Sequence, residues 1–299
     1  MENILFGDNQ FFGVNHMSEE KARQQAMRFQ DLDAIMQVLE AARDFGAGGF
    51  MCTTHDRIAD VADRMRSEAE AWEDFKMYPC MPYAHKYANA VTEFGYFDAL
   101  RKALPKEGLV DTLLRSSKAI ATQDMKAMIG LLIDAEMKMF DGLKTPIIFL
   151  QNVVTDLVVG LRAVEALRAF AEHVQHKYNA DPGFITMNVP MLLPLLDEAG
   201  VKNPVVCANV NKIGFRMSGG IEAYRQAAET YSPRVVAMSI FASGAISPRA
   251  AIDWVLEEPY VHSIVFGASS NGNIETTIRL IREKREAQAA NPSRPPRIQ

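Results

Sequence analysis

Short runs of continuously apolar, β-forming residues alternate along this chain with longer stretches whose apolar positions recur at helical spacing. The β-type runs fall at 4–6, 49–52, 75–80, 147–150, 184–187, 205–208, 235–239 and 263–266. Helical patterns fill 31–45, 58–69, 123–140, 158–178, 192–199 and 221–231. Ser247 and Pro248 open a further helix at its cap and first position, and a last one starts near Asn273. The apolar runs lack polar alternation, which predicts strands buried on both faces and therefore parallel. Eight β/α units in 299 residues predict an α/β fold, a single (β/α)8 TIM barrel. A doubly wound open sheet is the rival, but no G-x-G-x-x-G follows an early strand.

The barrel is expected to occupy 1–290 as one domain. Between its third and fourth strands, 82–145 is an extended helical insertion, longer than a barrel requires, and reads as a lid or a dimerisation element. The Pro/Arg-rich stretch 291–299 reads as a frayed C-terminal tail. A net charge of −5 gives no basic field for nucleic acid, and no run approaches membrane-spanning length. Cys52, Cys80 and Cys207 cannot all pair and match no zinc spacing. The N-terminus carries no basic leader or apolar signal core, so a reducing cytoplasm is the expected setting, with no metal. A small, phosphate-bearing molecule is the expected partner, and a homo-oligomer is compatible with the long insertion.

Catalysis in such barrels uses residues at the C-terminal strand ends. Those positions carry Asp8, Asn9 and Gln10; Thr53, Thr54 and His55; Tyr83, His85 and Lys86; Gln151 and Asn152; Asn188; Asn209, Asn211 and Lys212; Ser239 and Ser243. Buried polar groups must be bonded, so this ring of amides and hydroxyls predicts a ligand or ordered water. His55 is the expected proton donor, since a histidine titrates near working pH. Asp8 is expected as general base or orienter, or simply as a turn cap. His16 also follows the first strand. Asn9, Gln10, Thr54, Tyr83, Gln151 and Asn152 are expected to hold substrate. Lys212 could form a Schiff base or pair with a phosphate. The cysteines read as small apolar fillers.

After the last predicted strand comes Gly267-Ala268-Ser269-Ser270-Asn271-Gly272. Small residues ahead of a helix N-terminus expose amide donors suited to a phosphate. Gly267, Ala268, Ser269, Ser270 and Asn273 are therefore cofactor-binding candidates.

The runs Ala251–Leu256, Ser263–Ser270 and Val235–Gly244 resemble the C-terminal units of aldo-keto reductases. That resemblance implies NADP or NAD as cofactor, its phosphate held by the turn after the eighth strand. It further implies that Asn188 and Asn209 hold the nicotinamide carboxamide, with Ser239 beside them. The family's D-T-A with a following tyrosine is replaced here by Cys52-Thr53-Thr54-His55-Asp56-Arg57. Cys80-Met81 stands where the family has a lysine, and Gln151 where it has a histidine. The leading expectation is an atypical carbonyl oxidoreductase. Alternatives are a lyase, aldolase or isomerase on a phosphorylated metabolite using Lys212, and an inactive barrel serving as a binding module.

Overall fold

The computed structural model describes residues 1–13, 19–82 and 122–290. Its strands are β1 (Ile4–Gly7), β2 (Gly49–Thr53), β3 (Lys76–Met81), β4 (Ile147–Leu150), β5 (Asp181–Thr186), β6 (Val205–Asn209), β7 (Arg234–Met238) and β8 (Val261–Phe266). They form one closed parallel barrel in sequence order, sealed by pairing of β1 with β8 at Leu5 and Val265. The described residues contain eleven α-helices: α1 (Glu19–Arg28), α2 (Leu32–Phe45), α3 (Asp56–Ser67), α4 (Ala69–Trp72), α5 (Thr122–Met137), α6 (Asn152–Gly160), α7 (Val164–Tyr178), α8 (Val189–Glu198), α9 (Gly220–Tyr231), α10 (Pro248–Val255) and α11 (Asn271–Ala289).

The strands read as continuously apolar because each buries two faces. Leu5, Met51, Tyr78, Phe149, Ile185, Cys207, Val236 and Val265 fill the lumen as one cluster. Their neighbours Phe6, Phe50, Met77, Ile148, Phe184, Val206, Ala237 and Ile264 face outward into a second, larger cluster with the helices. Packing a lumen this tightly restricts its glycines. A Cβ on Gly183 would lie 2.4 Å from Phe149 Cδ1.

Helix boundaries follow local chemistry. Asp31 caps α2 by accepting from Asp33 N, and Gly46 ends it at φ 109°. The single helix expected over 158–178 is instead two. α6 ends at Gly160, Arg162 adopts φ 52°, and α7 starts at Val164. A left-handed residue cannot continue a right-handed helix, so the apolar periodicity ran through a break it could not register. Helix α1 had no predicted counterpart, because EEKARQQAMR has no apolar stripe. The predicted features at His16, Tyr83, His85 and Lys86, most of the 82–145 insertion and the 291–299 tail lie outside the described residues.

Candidate active site

The C-terminal strand ends open into a cavity of about 1250 Å³. Its wall runs from Asp8, Thr53 and Cys80 across Gln151, Asn209 and Ser239 to Gly267, Ser269 and Asn273. The closed barrel thus brings to one mouth the strand-end amides and the β8 turn, which lie far apart in the chain.

Among the described residues, Asp8 is the carboxylate lining this mouth. It follows β1, is 6% exposed, and its Oδ2 accepts from both Thr53 N and Thr53 Oγ1, each at 2.7 Å. Burial pushes its carboxyl above the ordinary aspartate value, and the Thr53 bonds offset this only in part. Next to it, burial drives the Cys52 and Cys80 thiols well up, with the Asp8 charge contributing. These thiols are therefore protonated and weakly nucleophilic, consistent with packing roles.

Gln10 donates from Nε2 to Gly7 O at 2.7 Å, which fixes the orientation of its amide. Its Oε1 packs on Gly267, where a Cβ would lie 2.2 Å away, and it has no hydrogen-bond partner. A side chain at 267 would therefore have to push the Gln10 amide aside, while the backbone conformation there sets no demand for glycine. At β6, Asn209 Nδ2 donates to Arg216 O at 3.0 Å and to Met187 Sδ at 2.8 Å. Its oxygen is the polar atom left for a ligand. Asn211, fully buried, exchanges two bonds with the backbone of Phe215 and so braces the loop after β6.

At the far end, Ser270 caps α11 by accepting from Asn273 N, and a Cβ added at Gly272 would meet nothing within 4 Å. Open space thus lies over the first turn of a 19-residue helix, whose leading amides suit an anion. Arg28 reaches over from α1 to donate to Ser269 O at 2.8 Å, and Gln25 bonds Ser269 Oγ. Among the described residues, the charged groups lining the cavity are Asp8, Arg28 and Arg216. The two arginines were missed by sequence reasoning, since nothing marks a cation on a polar helix or in a loop as facing a site.

Of the expected site residues, Asp8, Asn9, Gln10, Gln151, Asn152, Asn209, Ser239, Gly267, Ala268, Ser269 and Asn273 line the cavity. Others are spent elsewhere. His55, the expected proton donor, caps α3 by accepting from Arg57 N at Nδ1 and stacks 4.4 Å from Phe12, outside the cavity wall. Thr54 points the opposite way from Thr53, is fully buried, and donates to Glu136. Period-two alternation makes that unavoidable once Thr53 faces inward. Asn188 caps α8 by accepting from Met191 N, and Ser270 caps α11 from just beyond the wall. Lys212 is exposed and also stands outside the wall.

The fold and this mouth define the molecule as a (β/α)8 barrel with a large cavity, which carries a buried carboxyl at one end and a helix N-terminus at the other. Solved structures that superpose on it include proteins described as aldo-keto reductases and a glycerol dehydrogenase. A protein assigned to the aldo-keto reductases in Pseudomonas aeruginosa superposes with a TM-score of 0.60 at 13% identity, over 94% of this chain and 90% of that one. The glycerol dehydrogenase of Gluconobacter oxydans gives 0.56 at 11% identity, covering 98% and 94%. An aldo-keto reductase from a Medee basin deep-sea metagenome gives 0.55 at 11%, covering 88% of each chain. No protein-family model and no curated protein matches the sequence. Among the described residues no helix is long and apolar enough to cross a membrane, and no group of His, Cys, Asp and Glu could hold a metal ion.

Proposed function

We propose that this barrel is an NADP- or NAD-dependent oxidoreductase acting on a small polar carbonyl compound, with Asp8 as its acid–base group. The observation that carries the reading is the shared cavity: one wall joins the buried Asp8–Thr53 pair to the open amides ahead of α11. The residues present fit a dinucleotide. Gly272 leaves room over the helix terminus, Arg28 lies beside the turn, and Asn209 offers an oxygen to a carboxamide. When bound, the cofactor supplies the hydride. Asp8 supplies the proton to the carbonyl oxygen, and Thr53 holds the carboxylate that remains. Burial raises the Asp8 carboxyl above the ordinary aspartate value, so it holds its proton to higher pH than a free aspartate does and is the better placed of the two to donate. Gln151 and Asn152 are placed to orient the substrate. The lyase reading is not favoured, because no lysine among the described residues lines the cavity.

The test combines binding with turnover. NADPH and NADH are titrated by their fluorescence, and their oxidation is then followed with a panel of aldehydes, ketoses and hydroxyketones. Micromolar saturation is expected, and Asp8→Asn is expected to keep cofactor binding while losing about a hundredfold or more in turnover. Because burial raises the Asp8 carboxyl, reduction should fall as pH rises through its titration. Absence of dinucleotide binding at millimolar concentration would overturn the reading; undiminished turnover in Asp8→Asn would return Asp8 to a structural clasp.

A further inference from the structure

We propose that Glu136 is a positioning residue of this site: from α5 it grips Thr54, and so fixes the end of β2 where Thr53 turns both its donors onto Asp8. Glu136 is 3% exposed, and its carboxylate accepts the Thr54 hydroxyl in a fully buried contact. Its companions on α5 and just beyond are apolar: Ile133, Met137 and Phe140 are each 3% exposed or less. A carboxylate is a poor choice for cohesion at such an interface, where an apolar side chain of similar volume packs as well without a desolvation cost. What the carboxylate adds is direction.

That direction is needed because the β2 end is gripped on one side only. Pairing with β3 extends to Thr53 and Cys80, whereas pairing with β1 stops at Gly7 and Met51. Thr53 nevertheless presents its amide and its hydroxyl to the same oxygen of Asp8, which demands a fixed peptide plane. The Glu136–Thr54 bond, made by the next residue on the opposite face, supplies that constraint. α5 is itself tied down, since Asp134 accepts from His173, Lys177 and Tyr178 of α7, and Lys126 pairs with Glu172. The same construction recurs at β5, where Asp156 of α6 accepts from Thr186 Oγ1 and Met187 N.

The consequence is read at Asp8. The Asp8 carboxylate raises the Cys52 thiol on β2 and the Cys80 thiol on β3, both protonated in the fold. The Thr53 donors are what favour its ionised form, so loosening β2 should make Asp8 a still weaker acid.

The experiment uses the full chain labelled with 13C at aspartate Cγ, the Asp8 signal being assigned by its loss in Asp8→Asn. Titrations compare wild type, Glu136→Gln, Glu136→Ala and Glu136→Met. Gln keeps an acceptor for Thr54, and Met fills the volume without one, so it serves if Ala does not fold. Ala and Met are expected to raise the Asp8 midpoint by about one pH unit, a tenfold tighter hold on the proton, while Gln stays at the wild-type value. A fall in melting temperature with the Asp8 midpoint unchanged in both Ala and Met would overturn the proposal and leave Glu136 a structural contact. The inference concerns the site read above as an active site, yet the two fail separately. Wild type that binds no dinucleotide removes the proposed reaction, whereas an unmoved Asp8 midpoint removes only the role of Glu136.

Discussion

Asp8 and Thr53 show how single atoms set the chemistry of the mouth. Removing a carboxyl from water favours its neutral form, and two donors from one threonine restore part of the lost solvation. Nearby, a Cβ at Gly267 would strike Gln10 Oε1, the end of a side chain pinned by its bond to Gly7 O. Gly267→Ala should displace the Gln10 amide from Gly7 O and cost about 1 kcal/mol, the worth of that hydrogen bond. Urea unfolding of the variant reads this directly, and a midpoint equal to wild type would mean that Gln10 yields freely. Asp8 and Gly267 could both be picked from the sequence by their place at strand ends. That Thr53 faces the cavity while Thr54 turns away could not, because alternation fixes their opposition but not which of them looks inward.

Helix α5 illustrates the element scale. It packs against α7 through Asp134, which gathers His173 at 2.8 Å, Lys177 at 2.6 Å and Tyr178 at 2.7 Å. Burial alone would raise the Asp134 carboxyl, but the three donors together outweigh it and hold it at about 2. A folded-state value below the unfolded one stabilises the ionised form. That contribution is complete above about pH 4 and lost as pH falls towards 2. Asp134→Asn should therefore lower the melting temperature at pH 7 yet converge on wild type only below about pH 2. A constant difference across the range would assign the effect to packing alone. The helical pattern of this stretch was legible in sequence, as was the start of α10 at Ser247 and Pro248, although Ser247 makes no side-chain cap bond. The break between α6 and α7 was not, because it rests on one backbone angle at Arg162 rather than on composition.

At the scale of the molecule, stability and binding meet in the barrel closure. Lumen residues from eight strands pack as one unit, so a local insertion is felt throughout. Gly183→Ala, driven into Phe149, should cost about 1–3 kcal/mol and lower the midpoint of a single transition instead of producing an early partial one. Ligand occupancy of the mouth should act in the opposite direction. If NADPH binds as proposed, a hundredfold excess over its dissociation constant adds about 2.7 kcal/mol, visible as a rise in melting temperature.

The amino-acid order alone determined that eight doubly buried strands alternate with amphipathic helices, and that polar residues and a glycine turn close those strands. These are local properties: side-chain period, β-propensity and turn chemistry act over a few neighbours. The tertiary structure alone decided which polar groups face the cavity, sending Asp8, Asn209 and Arg28 to it and making His55 and Asn188 helix caps. It also delivered Glu136 to Thr54 across 82 positions of chain. Barrel closure sets the rotation of each strand about its own axis, and no residue's immediate neighbours encode that angle.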